Sequence, residues 1–150
     1  MLDLYAGTGA LGIEALSRGA VHATLVESAH AALSAMRANI AELGLAPQTR
    51  VLAGSVGLLA PRIARDDPYD IVFADPPWRS IDLGEAPLAI AAVVERGALA
   101  HGGLLVLEHS SRSPPPVIER LELLHQRCIG DATVAFYRLT ESLPLSGQRP

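Results

Sequence analysis

An α/β domain with a mainly parallel sheet and helices on both faces is what this sequence predicts. Three observations carry that expectation. Strand-length apolar runs alternate with stretches of helical period, glycines cluster where the first strand gives way to the first helix, and a Pro-Pro turn closes the fourth strand. The size agrees, since 150 residues, 49% of them hydrophobic and 19% charged, suit one domain with a substantial core.

The elements follow in order. Residues 1–5 (MLDLY) read as strand one, and 10–18 as the helix after it, closed by Gly19. HATLVE, 22–27, is strand two. Residues 29–45 place Leu33, Met36, Ile40 and Leu43 at helical spacing and stop at Gly44, so they form a helix. RVLAG, 50–54, is strand three, followed by a helix over 56–65. YDIVFADPPW, 69–78, runs strand four straight into the turn. Residues 86–96 are helical and GGLLVLEHS, 102–110, is strand five.

SRSPPP, 111–116, is a loop, because three consecutive prolines forbid helix and sheet. LELLHQRCIG and ATVAFYRL, 121–130 and 132–139, flank Gly130-Asp131 and read as an antiparallel pair joined by a tight turn. The domain is expected to span 1–139, with a frayed polar tail over 140–150. Strand one of a parallel sheet is normally central and buried. A chain that opens inside it is expected to be N-terminally truncated, with a segment upstream of Met1.

Composition excludes several classes. No apolar run approaches the roughly 20 residues of a membrane span, and no basic-then-apolar leader opens the chain. One cysteine, Cys128, allows no internal disulfide, and no Cys/His cluster has metal-ligand spacing. These observations predict a cytoplasmic protein without a metal, and a monomer is the expected state. The net charge of −4 speaks against nucleic acid as partner, because phosphate contacts come mainly from Lys and Arg.

The glycines Gly7, Gly9 and Gly12 fit G-x-G-x-x-G after a strand, a pattern that serves dinucleotides and other nucleoside cofactors alike. Asp3, inside strand one, separates the two. A carboxylate there stands badly beside a pyrophosphate, and well beside the ammonium and sulfonium of S-adenosylmethionine. Glu27, 18 residues past Gly9 at the end of strand two, suits the two hydroxyls of a ribose in either case.

The second signature is Asp75-Pro76-Pro77-Trp78, at the carboxyl end of strand four, where open α/β sheets place their ligand crevice. An exocyclic base amine is a poor nucleophile, because its lone pair is drawn into the ring. Two acceptors on its hydrogens pull the nitrogen towards tetrahedral geometry and free that pair. Asp75 offers one, and the carbonyl of Pro76 or Pro77 the other, aimed by a stiff turn. Trp78 supplies a flat face for a base taken out of its stack. These four are the candidate catalytic residues.

At this point the sequence resembles a known group. LDLYAGTGALGIEALSRGA, VES, RANIAELGL, DIVFADPPW and GDATVAFY together are similar to the bacterial 16S ribosomal RNA (guanine-N2)-methyltransferase family, within the class I S-adenosylmethionine-dependent methyltransferases. The resemblance covers residues 1–139 and implies a Rossmann-like sheet and methylation of a guanine N2 amine in 16S rRNA or an assembling small subunit. It implies that Asp3 and the Gly7-Thr8-Gly9 loop hold the methionine moiety, Glu27 the ribose and Ser28 the adenine side, with Tyr5, Ala6, Ser55 and Val56 completing the cofactor set. Ser55 stands where many members carry an Asp that binds the adenine amine. Trp78 replaces the more usual Tyr or Phe. Family members also carry a basic upstream segment that contributes to substrate binding. Its absence implies that this chain is a poor catalyst by itself. The alternatives are an amino-methyltransferase for adenine N6 or a protein amide, a cofactor-binding remnant, and an NAD(P)-binding module.

Five other residues carry lesser expectations. Glu14 is read as a helix-dipole partner or solvated group, and Asn39 as a cap or hydrogen bond within its own helix. His109 is placed at the crevice edge as a candidate substrate contact. Arg79 and Arg112 are candidates for phosphate contacts there.

Overall fold

The computed structural model describes residues 1–65 and 67–140. Among these, seven strands form one sheet in the order β3-β2-β1-β4-β5-β7-β6. The strands are β1 (Leu2–Asp3), β2 (Ala23–Glu27), β3 (Thr49–Ala53), β4 (Tyr69–Ala74), β5 (Leu99–Ser110), β6 (Leu121–Ile129) and β7 (Ala132–Leu139). The first five are mutually parallel, and β7 runs antiparallel to both β5 and β6. The expected fold is thus the observed one, with the closing hairpin in place.

The helices are α1 (Ala10–Ser17), α2 (His30–Glu42), α3 (Val56–Ile63), α4 (Trp78–Asp82) and α5 (Glu85–Glu95). Period-two alternation along β2 explains why they lie on two faces. Ala23 and Leu25 pack with Leu16 of α1 and with Met36 and Ile40 of α2. Val26 joins the opposite cluster, built on Leu2, Leu4, Val56 and Ile63 of α3 and Ile90 and Val94 of α5. Burial of these aliphatic side chains, each contributing about 1.5–3 kcal/mol, is what fixes the register of the central strands.

β1 is shorter than the sequence suggests. Its hydrogen bonding leaves the ladder after Asp3, although Leu4 N–H still reaches the Phe73 carbonyl and Ala6 N–H the Val26 carbonyl, both at 2.9 Å. β5 is longer, starting at Leu99. The register jumps from Tyr69↔Leu99 to Ile71↔Leu104 across Gly102, at φ +78°, and Gly103, where a Cβ would lie 2.9 Å from the Asp70 carbonyl oxygen. A glycine bulge, not a strand start, is the function of that pair. The sequence reading also missed α4, which begins at Trp78.

The expected tail lies outside the described residues except for Thr140, whose N–H donates to the Arg120 carbonyl at 2.8 Å. Among the described residues, no helix is long and apolar enough to cross a membrane. None of their His, Cys, Asp and Glu side chains form a group of three or more that could hold a metal.

The strand order reverses between β1 and β4, and in open α/β sheets ligands bind outside the carboxyl ends of the strands at such a point. All the segments described next leave the sheet at that end.

Candidate active site

A cavity of about 950 Å³ opens there. Its walls come from four consecutive strand ends: Tyr5 and Gly7 after β1, Glu27, Ser28 and Ala29 after β2, Gly54 to Gly57 after β3, and Asp75 to Trp78 after β4. Ser80, Glu85, Ala86 and Ala89, from α4 and α5, close the far side. The two signatures of the sequence therefore line one cavity, although about 70 residues separate them in the chain.

The glycine loop is built for close approach. Gly9 caps α1 at φ +86°, a conformation costly for any side chain, and its N–H donates to the Ala6 carbonyl at 2.7 Å. Gly12 lets α1 lie against β2, since a Cβ there would fall 2.3 Å from Leu25 Cδ2. Gly7 N–H donates to Glu27 Oε2 at 2.8 Å, which ties the loop to the end of β2.

Glu27 does more than the sequence suggested. Its other oxygen, Oε1, accepts the Ser28 and Ala29 N–H groups, both at 2.7 Å, at the entrance to α2. One carboxylate thus clasps the first loop and the second helix together. Backbone hydrogen bonds to a charged acceptor are worth about 1.5–3 kcal/mol each in sheltered settings, and less where water competes, as at Ser28 and Ala29. Glu27→Ala is expected to lower the unfolding free energy by about 2 kcal/mol and to weaken cofactor binding at least tenfold. Calorimetry for both quantities checks it, and a variant as stable as the parent would contradict the clasp.

Asp3 is 1% exposed, with Tyr5 N–H donating to its Oδ1 at 3.3 Å. Its other oxygen, Oδ2, is buried without a hydrogen-bond partner. Burial first, and the charges of Asp75 and Glu27 after it, push its carboxyl up to about 7, which the Tyr5 hydrogen bond only partly opposes. A buried carboxylate oxygen with no donor, close enough to Asp75 and Glu27 of the cavity wall to feel their charges, suits a cationic group.

The cavity's own charge points the same way. Its ionisable lining is Glu27, Asp75, Glu85 and the Tyr5 hydroxyl, and no Arg, Lys or His among the described residues lines it. Burial and the Glu85 charge push that hydroxyl up to about 12, so it stays neutral. Such a lining opposes a pyrophosphate and favours a sulfonium and an ammonium. The residues present therefore fit S-adenosylmethionine better than a dinucleotide.

At the Pro-Pro turn, burial raises the Asp75 carboxyl above its ordinary value. Burial, and after it the charge of Asp75, raises Glu108 as well. Trp78 keeps 37% of its surface exposed at the cavity wall. The two proline carbonyls are not equivalent. That of Pro77 accepts both the Ser80 N–H at 2.8 Å and the Ser80 hydroxyl at 2.7 Å, because Pro77 caps α4. The Pro76 carbonyl, on the same cavity wall, is the other candidate for the second acceptor beside Asp75.

Four predicted cofactor residues shape the site without lining it. Asp3 is buried beneath the loop, Ala6 belongs to the α1/α2 core, Gly9 caps α1, and Thr8 turns its carbonyl away towards α2. Tyr5, Gly7, Glu27, Ser28, Ser55 and Val56 do line it, as do all four residues of the Pro-Pro turn.

Two other expectations, those for Asn39 and His109, need correction. Asn39 makes its side-chain bond outside its own helix, with Nδ2 donating to the Thr8 carbonyl at 3.0 Å. His109 is 1% exposed, because alternation along β5 turns it to the buried face with Leu105 and Leu107, so it does not stand at the crevice edge as a substrate contact. Its Nδ1 is 2.9 Å from the Ser110 carbonyl oxygen. Arg112 already pairs with Asp131 at 3.4 Å. Arg79 lies exposed on α4 and is not part of the cavity wall. Glu14 pairs with Arg18 one turn on, at 2.6 Å. The reading along the chain missed Glu85, Ala86 and Ala89, which carry no motif and reach the site only because α4 and Gly84 turn α5 back over it.

Comparison with known proteins agrees with this geometry. The family model described as conserved hypothetical protein 95 matches residues 1–138. Ribosomal RNA small subunit methyltransferase D of Escherichia coli strain K12 is 34% identical over 138 residues, covering 92% of this chain and 66% of that protein. The chain thus spans about two thirds of that relative's length. A putative rRNA methyltransferase of Bacillus subtilis strain 168, YlbH, is 30% identical over 139 residues, 91% of this chain and 74% of its own. Among solved structures, the putative methyltransferase yhhF from Escherichia coli superposes with a TM-score of 0.79 at 31% identity, covering 94% of this chain and 77% of that one. With its glycine loop and Pro-Pro turn on one cavity of a Rossmann-like methyltransferase sheet, the chain belongs to the conserved hypothetical protein 95 family.

Proposed function

We propose that this protein transfers a methyl group from S-adenosylmethionine to the exocyclic N2 amine of a guanine in 16S ribosomal RNA. The observation that carries the reading is the meeting of Asp75-Pro76-Pro77-Trp78 with Gly7 and Glu27 on one acidic cavity. Its relatives' names supply the substrate class, ribosomal RNA of the small subunit. The partner is free 16S rRNA or an assembly intermediate of the small subunit, met in the cytoplasm by a monomeric protein.

When bound, the cofactor supplies an electrophilic methyl on a sulfonium. The chain's own residues do the rest. Trp78 stacks on the extruded guanine, a contact worth about 1–3 kcal/mol per base in comparable sites. Asp75 and the Pro76 carbonyl each accept one N–H of the amine, which turns its lone pair out of the ring and along the line of attack. The raised Asp75 carboxyl is a better proton acceptor than one at the ordinary aspartate value, and it can take the proton that the methylated amine sheds. Asp3, Glu27 and the glycine loop bind the cationic part of the cofactor and its ribose, and Ser28, Ser55 and Val56 border its adenine.

Incubation of the protein and S-adenosylmethionine with undermethylated small-subunit RNA, followed by nucleoside mass spectrometry, tests this. One added N2-methylguanosine is expected. A methyl found on adenosine, or saturable NADH binding without S-adenosylmethionine binding, would overturn the reading.

A further inference from the structure

We infer that Asn39, on α2, is a positioning residue for the cofactor loop. The inference rests on the reading of the cavity as an S-adenosylmethionine site.

The loop's glycines create the need for such a residue. Gly7 and Gly9 hold φ of +55° and +86°, and glycine visits both signs of φ with little penalty. A peptide plane that precedes a glycine therefore flips easily, by compensating rotation about ψ of one residue and φ of the next. The loop has two such planes, Ala6-Gly7 and Thr8-Gly9. Each is held by a side chain from another element. Glu27 Oε2 accepts the Gly7 N–H of the first, and Asn39 Nδ2 donates to the Thr8 carbonyl of the second, 31 residues away in sequence.

The second plane carries the start of α1. Its N–H, that of Gly9, closes a turn on the Ala6 carbonyl, and the Gly9 carbonyl receives the first bond of the helix, from Ile13 N–H at 2.9 Å. With the Thr8 carbonyl tied to α2, the plane has both of its polar groups occupied. The Gly7 backbone is then presented to the cavity in one orientation. Without the tie, the Thr8 carbonyl faces water in an exposed residue, and the Gly9 N–H bond to the Ala6 carbonyl is left alone to oppose rotation of the plane. Asn39 itself is only partly buried and touches no cavity wall. Its loss acts on loop order rather than on direct ligand contact.

Two variants and two readouts test this. In Asn39→Ala, amide hydrogen exchange at residues 7–10 should quicken in the cofactor-free protein while α2 keeps its protection. S-adenosylmethionine affinity by calorimetry should fall about fivefold, the scale of one net hydrogen bond. Asn39→Asp should weaken binding further, because a carboxylate has no N–H to give and sets its charge against the Thr8 carbonyl oxygen. Asn39→Ala should raise KM for the cofactor at unchanged kcat, which a general loss of folding would not do. Exchange at 7–10 unchanged from the parent, or a loosened loop with affinity within twofold of the parent, would overturn the inference. If the parent bound no S-adenosylmethionine, the cavity reading would fall, and the exchange readout would still decide whether Asn39 pins the loop.

Discussion

Replacing Asp75 with alanine is expected to cut methyl transfer by about 10²- to 10⁴-fold, the range for removing a positioned proton acceptor, while changing S-adenosylmethionine affinity by less than about threefold. The separation follows from geometry. In the proposed roles Asp3, Glu27 and the loop serve the cofactor's cation, whereas Asp75, on the turn after β4, meets the amine. The Pro76 carbonyl would remain, but one acceptor leaves the amine planar. Asp75→Asn should fall between parent and alanine, because its amide oxygen still accepts one N–H but takes no proton.

The pH profile gives this prediction a sign. Asp75 must be ionised to act, and burial raises its carboxyl above the ordinary value. Activity should therefore fall as pH drops through that raised value, with the acid limb displaced upward from where an ordinary aspartate would put it. At saturating S-adenosylmethionine, where Asp3 no longer limits binding, Asp75→Asn should lose the limb. Single-turnover assays with protein in excess over undermethylated RNA measure the chemistry without limitation by RNA affinity. Full activity in Asp75→Ala would exclude the proposed role.

What the sequence made legible depended on how local each cause was. Alternating periods located the strands, and their burial on both faces confirmed a central parallel sheet. Asp3 and the Pro-Pro turn stood out because a carboxylate in an apolar strand and two prolines at a strand end each demand an explanation. The rest required distances that sequence does not contain. Nothing in residues 37–45 shows that Asn39 reaches a loop 31 residues earlier. The choice between Pro76 and Pro77 turned on Ser80, whose bond depends on a five-residue helix too short for a periodic signal. Glu85 has no motif at all, and Gly102-Gly103 looked like a strand boundary because glycine marks bulges and ends alike.

Asp3→Asn is expected to stabilise the cofactor-free protein at pH 8 and to weaken its hold on S-adenosylmethionine. The carboxyl stands at about 7 in the folded chain against an ordinary 3.8. A group raised on folding favours the folded state below its unfolded value, and that contribution is lost as pH rises through the folded one. The parent therefore loses stability relative to the variant between about pH 4 and 7, and the difference levels off above that window. Three pH units correspond to about 4 kcal/mol, from which an amide nitrogen left without an acceptor subtracts about 1–3 kcal/mol. A net gain of the order of 1–3 kcal/mol at pH 8, reversing to a deficit of about 1–3 kcal/mol near pH 4 where the parent carboxyl is neutral, is what urea titration of the pair should show. The same substitution removes the negative charge that meets the cofactor's ammonium, so affinity should fall about tenfold or more, most at high pH where the parent is ionised. Opposite effects on stability and binding are what a carboxylate kept for a cation produces, since its cost is met only when the cation is present. A variant less stable than the parent at pH 8, with affinity unchanged, would show instead that Asp3 serves the fold through its Tyr5 hydrogen bond.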